Sequence, residues 1–127
     1  MERKKILLVD DSTTALMMEK MLLSRGPYDL ETAGDGEQAV AQATANPPDL
    51  ILLDIKMPKK DGLETLQELR AHEATRDVPV IMVTTRSERA NVDQAFEIGC
   101  NAYVYKPINA EELFSTVREL LSAEGSS

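Results

Sequence analysis

The 127-residue sequence predicts an α/β fold: five β-α units whose strands form one parallel sheet covered by helices on both faces. Three observations predict it. Short apolar runs recur five times along the chain, a segment with helical spacing follows each of them, and four of the runs are almost continuously apolar, as strands buried on both faces should be. Such alternation implies right-handed crossovers.

The first run, Lys5 to Val9, is followed by Thr14 to Arg25, with Leu16, Met17, Met21 and Leu22 at helical spacing and Gly26-Pro27 as the stop. The second run, Tyr28 to Thr32, interleaves Asp29 and Glu31 and reads as an edge strand; an Ala-rich helix from Glu37 to Ala45 follows and ends at Asn46-Pro47-Pro48. After the third run, Leu50 to Leu53, Asp61 with Glu64 forms a capping box that opens a helix through Leu63, Leu66 and Leu69. The fourth run is Val78 to Val83; Ser87 is the candidate cap for Glu88 to Ile98, which Gly99 ends. The fifth, Ala102 to Tyr105, leads through Asn109 and Glu112 into a helix carrying Leu113, Phe114, Val117, Leu120 and Leu121 on one face. One domain over residues 1–127 is expected, with a core from about 4 to 121 and a flexible tail at 122–127.

Composition narrows the function. The net charge is −8, which argues against nucleic-acid binding through phosphate neutralisation, and two Phe, three Tyr and no Trp leave little for stacking on bases. The apolar runs are too short to insert in a membrane, since a span needs ~20 residues. A single cysteine, Cys100, and no N-terminal signal pattern point to a reducing, cytoplasmic compartment.

Ligands of open α/β sheets bind beyond the carboxyl ends of the strands. There the first run delivers Asp10 and Asp11, the third Asp54, the fourth Thr84 and Thr85, and the fifth Lys106. Carboxylates ~4 Å apart repel by about 4 kcal/mol at an effective dielectric near 20, and one lysine cannot neutralise three of them. Either a proton is retained on one carboxylate or a divalent cation is bound. Oxygen ligands without His or Cys nearby suit Mg2+ and exclude a zinc site. A cation, a carboxylate, a hydroxyl and an ammonium are the equipment of phosphoryl transfer, with Asp54 as covalent acceptor, Asp10 and Asp11 holding the metal, and Lys106 and Thr84 on the phosphoryl oxygens.

Four segments carry a resemblance: Ile6 to Asp11, Asp49 to Pro58 with Asp61-Gly62, Pro79 to Thr84, and Gly99 to Pro107. In this order and spacing they are similar to a response-regulator receiver domain of the stand-alone chemotaxis-regulator (CheY-like) type. The resemblance spans residues 4 to about 121 and implies a flavodoxin-like sheet of order 2-1-3-4-5. It implies phosphorylation of Asp54 by a sensor histidine kinase or phosphotransfer protein, with Asp11 on the metal directly, Asp10 largely through water, and the backbone carbonyl of Lys56 completing the set. Thr84 and Tyr103 are then switch residues, and an effector protein binds the face of the fourth helix, fifth strand and fifth helix. The output is altered affinity for a partner rather than turnover of a metabolite. The resemblance also implies a cis Lys106-Pro107 bond. Whether the chain is a monomer or a phosphorylation-dependent dimer stays open.

Lys56 and Arg86 lie two residues beyond Asp54 and Thr84, where the family's hydrolytic water passes. Either they pair with the phosphoryl group and prolong its lifetime, or they are solvated loop residues. Tyr103 is alternatively an ordinary half-buried strand residue. Cys100 reads as a packed small residue, His72 as solvated, and Met17, Met18 and Met21 as core or helix surface. Two other functions compete: a receiver used as a phosphorylation-independent scaffold, and a flavodoxin-like small-ligand binder. For the latter, Asp10 and Asp11 would repel a phosphate and no aromatic flanks the site. Five β-α units use nearly all the length, so an output domain is not expected within it.

Overall fold

The computed structural model describes residues 3–57 and 59–125. The strands are β1 (Lys4–Val9), β2 (Tyr28–Ala33), β3 (Leu50–Asp54), β4 (Val80–Thr84) and β5 (Ala102–Tyr105). The helices are α1 (Thr13–Leu23), α2 (Gly36–Ala45), α3 (Gly62–Ala71), α4 (Ala90–Ile98) and α5 (Ala110–Gly125). All strand pairs are parallel, in the order β2-β1-β3-β4-β5.

Side chains alternate across a strand, so each strand feeds two cores. Leu7, Val9, Ile51, Leu53, Val80 and Met82 pack on one face with Ala39 and Ala43 of α2, Leu66 and Leu69 of α3, and Ala95 of α4. Ile6, Leu8, Leu50, Leu52, Ile81 and Val83 pack on the other with Leu23 of α1 and Leu113, Val117 and Leu121 of α5. The chain steps from β1 outward to β2, then returns past β1 to β3. That reversal opens the crevice at the carboxyl edge between β1 and β3.

Cap chemistry decides where several helices begin. Ser12, Asp35 and Asp61 cap α1, α2 and α3 through their side chains, and Asp61 with Glu64 closes the expected capping box. Asn109 Oδ1 accepts from Glu112 N at 2.9 Å at the start of α5. The expectation for Ser87 fails: residues Arg86–Glu88 form one 3-10 turn, and α4 starts only at Ala90 without a side-chain cap. Thr85 Oγ1 is engaged with Ser87 Oγ and Glu88 Oε1, at 2.9 and 2.8 Å, which holds the turn and takes Ser87 out of the capping role. Gly99 ends α4 at φ 128°, a left-handed conformation that favours glycine.

The helical face expected for α1 is also revised. Met17, Met18 and Met21 are 60%, 59% and 70% exposed, whereas Leu23 and Glu19 are the buried residues of this helix. α5 continues to Gly125, beyond the expected end of the core near residue 121; Ser126 and Ser127 of the expected tail lie outside the described residues.

Gly62 has a structural requirement that matters for the site. Its N–H donates to the Ile55 carbonyl at 2.7 Å, so α3 starts against the backbone that follows Asp54. A methyl on Gly62 would overlap the Asp54 carbonyl oxygen and come 2.7 Å from Ile55 Cα. Alanine favours a helix interior by up to ~1 kcal/mol, but displacing packed backbone costs about 1–3 kcal/mol. Gly62→Ala is expected to lower stability by about 1 kcal/mol net, read as a lower urea midpoint at unchanged slope.

Candidate functional site

Four strand ends meet at the carboxyl edge. Asp10 follows β1 and is 1% exposed; Asp54 closes β3 at 5% and Thr84 closes β4 at 1%. Asp11, next in the chain, is exposed. Lys106 follows β5 and is tied back to β4 by its N–H, which donates to the Thr84 carbonyl at 2.7 Å. The Lys106-Pro107 peptide is cis.

The side chains converge as the strand-end logic expects. Lys106 Nζ lies 3.4 Å from Asp10 Oδ2 and 3.4 Å from Asp54 Oδ1, between the two buried carboxylates. Asp10 Oδ1 accepts from Ser12 N at 2.9 Å, so Asp10 braces the loop into α1 while Ser12 supplies the cap. Asp10, Asp11 and Asp54 each offer a carboxylate oxygen within 4.8 Å of the others. Thr84 Oγ1 makes one long hydrogen bond, 3.3 Å to the Thr85 carbonyl, which leaves the hydroxyl easy to redirect.

Burial, then repulsion from Asp10, pushes the Asp54 carboxyl up to about 6, against the pull of Lys106. Burial works against the charge on Lys106, but Asp54 and Asp10 together hold its ammonium above the usual lysine range. The centre is short of positive charge, and its donors are all oxygen. That combination fits a hard divalent cation.

One acidic residue of this region escaped the sequence reading. Glu19 on α1 is 2% exposed, its Oε1 has no hydrogen-bond partner, and burial followed by Asp10 raises its carboxyl to about 8. The available signal was its place with Leu16 and Leu23 at helical spacing, three residues after one and four before the other.

Tyr103 is 39% exposed on β5 and meets Phe96 of α4 edge-on at 6.0 Å and Tyr105 edge-on at 5.3 Å. Arg86 stacks on Tyr105, its guanidinium carbon 4.7 Å from the ring centroid. Lys56 is exposed between buried Ile55 and Met57, so its side chain points to solvent beside the acceptor. Thr85 serves the 3-10 turn rather than the crevice. Cys100 is buried, and burial pushes its thiol up to about 11, as a packed and unreactive residue requires. His72 is exposed at the end of α3.

Residues 6–118 match the family model described as the response regulator receiver domain, and the chain belongs to that family. Among its relatives is the transcriptional regulatory protein ResD of Bacillus subtilis, 39% identical over 117 residues, which cover 92% of this chain and 48% of ResD. The chain thus spans about half the length of the curated relatives it matches. A CheY-like receiver domain protein from Methanospirillum hungatei superposes with a TM-score of 0.89 at 31% identity, covering 98% of each chain. The receiver domain of a sensor histidine kinase from Pseudomonas aeruginosa gives 0.88 at 30% identity, covering 95% of this chain and 99% of that one. That structure has a magnesium ion coordinated in its active-site cleft. No helix among the described residues is long and apolar enough to cross a membrane.

Proposed function

We propose that this chain is a phosphorylation-controlled signalling module that accepts a phosphoryl group on Asp54 from a histidine kinase or phosphotransfer protein in the cytoplasm. The observation that carries the reading is Asp54 itself. It is a buried carboxylate with an ammonium 3.4 Å away, shared with Asp10, and with oxygens of two further carboxylates within 4.8 Å.

The acidic donor set fits magnesium. Asp11 and Asp54 would hold it with the Lys56 carbonyl, and Asp10, already committed to Ser12 N and Lys106, would act through water. When bound, the ion supplies positive charge to the phosphoryl oxygens and relieves the repulsion among the aspartates. An Asp54 carboxylate oxygen attacks phosphorus, the bond from phosphorus to the donor breaks, and its electron pair leaves with the donor. Lys106 and Thr84 take the phosphoryl oxygens. Thr84 gives up its long bond to the Thr85 carbonyl, and Tyr103 turns from its exposed position against Phe96. The face of α4, β5 and α5 is thereby remodelled for an effector protein, so the chain modifies only itself and turns over no metabolite.

Treating the protein with acetyl phosphate or phosphoramidate and magnesium should add the mass of one phosphoryl group, and Asp54→Asn should abolish the gain. No gain in the wild-type protein would leave a phosphorylation-independent scaffold. Lys56 and Arg86 flank the acceptor and are proposed to hinder water. In the doubly substituted protein, Lys56→Asn with Arg86→Glu, the half-life of the acyl phosphate should fall about two- to fivefold, the range that exposed ion pairs of up to ~1 kcal/mol allow. An unchanged half-life makes both solvated loop residues.

A further inference from the structure

Between α1 and the segment after β5 lies a cavity of about 410 Å3, walled by Ala15, Met18, Leu22, Pro107 and Ile108, with Glu19 the one carboxyl group in its lining. The volume is within the ~300–1,000 Å3 of small-molecule sites, and so is the makeup of mostly apolar wall with a single placed polar group. Glu19 Oε1 is buried and has no hydrogen-bond partner, and a native buried oxygen left in that state calls for a missing donor.

Lys106 also lines the cavity, but its ammonium is committed 3.4 Å from both Asp10 and Asp54. The polar group in the lining left to anchor a ligand is thus a carboxyl, which repels an anion once ionised. An anion is therefore excluded. A hard metal ion is excluded as well, because one carboxylate among aliphatic walls cannot replace the six or more oxygens such ions keep. What remains is a charge-assisted hydrogen bond from a cationic nitrogen, with carbon beside it to fill the apolar walls. Met18, unbranched and polarisable, is suited to fit such a body.

We propose that this cavity is a binding site for a small organic cation, with a primary ammonium or amidinium group seated on Glu19 and an alkyl or aryl body lying between α1 and residues 107–108. The site adjoins the aspartate cluster through Lys106 but includes none of its carboxylates, and it does not require Asp54 to be phosphorylated.

The full chain, with 13C-labelled methionine and isoleucine methyls, is titrated at about pH 8.5, above the value of about 8 at which Glu19 ionises, with phenethylamine and with phenethyl alcohol, its neutral counterpart, both without magnesium and in saturating magnesium. The expected result is a saturable shift at Met18 and Ile108, smaller at Met17 and Met21, which do not line the cavity, and roughly tenfold or more weaker for the alcohol, about 1.4 kcal/mol. Glu19→Gln should lose the same preference. Equal binding of amine and alcohol overturns the proposal without reference to any variant. So does unchanged amine affinity in Glu19→Gln, absence of a saturable shift at Met18 and Ile108, or an effect that magnesium suppresses by competition at the aspartates.

Discussion

A protein carrying Asp10→Asn and Asp11→Asn melts at a higher temperature than wild type when no divalent cation is present, and stops responding to magnesium. The wild-type site holds three carboxylates with oxygens within 4.8 Å of one another against one lysine. Each pair repels by about 4 kcal/mol at ~4 Å and an effective dielectric near 20, before solvent and Lys106 reduce it. The asparagine amide at position 10 keeps an acceptor oxygen for the Ser12 N–H, so the loop into α1 retains its brace. The net gain should be about 1–2 kcal/mol, or several degrees for a domain of this size. In wild type, magnesium should stabilise the folded state by about 1.4 kcal/mol for each tenfold excess over its dissociation constant, and that increment should vanish in the variant. Phosphorylation by acetyl phosphate should vanish with it. Calorimetry with and without magnesium checks both signs. A variant that melts lower, or that still gains stability from magnesium, would show that the cluster is not the cation site.

Glu19→Leu is expected to stabilise the protein by about 1–3 kcal/mol, because it removes a buried carboxyl group with no partner and keeps a side chain of similar size. It also changes the pH dependence. Burial raises the folded-state pKa of Glu19 from 4.5 to about 8, so between those values the folded protein holds a proton that the unfolded chain has released. Stability then falls as pH rises through that window and levels off above it. Asp54, pushed up to about 6, contributes a slope of the same sign at the lower end, so the effect of Glu19 is read between about pH 6 and 8. Denaturation midpoints across that range should decline in wild type and stay nearly level in Glu19→Leu. Parallel slopes in the two proteins would mean that Glu19 is charged in the folded state.

The sequence disclosed the sheet and its crevice because both depend on local signals. Residues Ile6 to Val9 and Leu50 to Leu53 are short, unbroken apolar runs that read as strands buried on two faces, and whatever follows such a strand stands at its carboxyl end. That logic located Asp10, Asp54, Thr84 and Lys106, which the structure brings to one edge of the sheet. It failed where the outcome depends on how an element is rotated against its neighbours. In α1, Met17 and Met21 satisfy the helical period as well as Leu16 and Leu23 do, and only the docked helix reveals that the methionines face outward and Glu19 inward. Ser87 is a reasonable cap by composition; its hydroxyl is instead engaged by Thr85 within a turn that the sequence does not announce. The edge-on contact of Phe96 with Tyr103 joins α4 to β5 and needs the sheet order before it can be foreseen.

The close approach at Gly62 gives the acceptor a rigid mounting. The Asp54 carbonyl touches the start of α3, while the Ile55 N–H donates to Val83 at 3.0 Å and its carbonyl receives the Gly62 N–H. Asp54 is thus seated against an anvil on one side. On the other side stand a hydroxyl on one long bond, a single 3-10 turn and an arginine resting on a tyrosine ring. Load placed on such a mounting is taken up by its compliant side. A phosphoryl group arriving at Asp54 would therefore push strain toward Thr84, Arg86 and Tyr105, and the missing methyl of one glycine would give the proposed signal its direction.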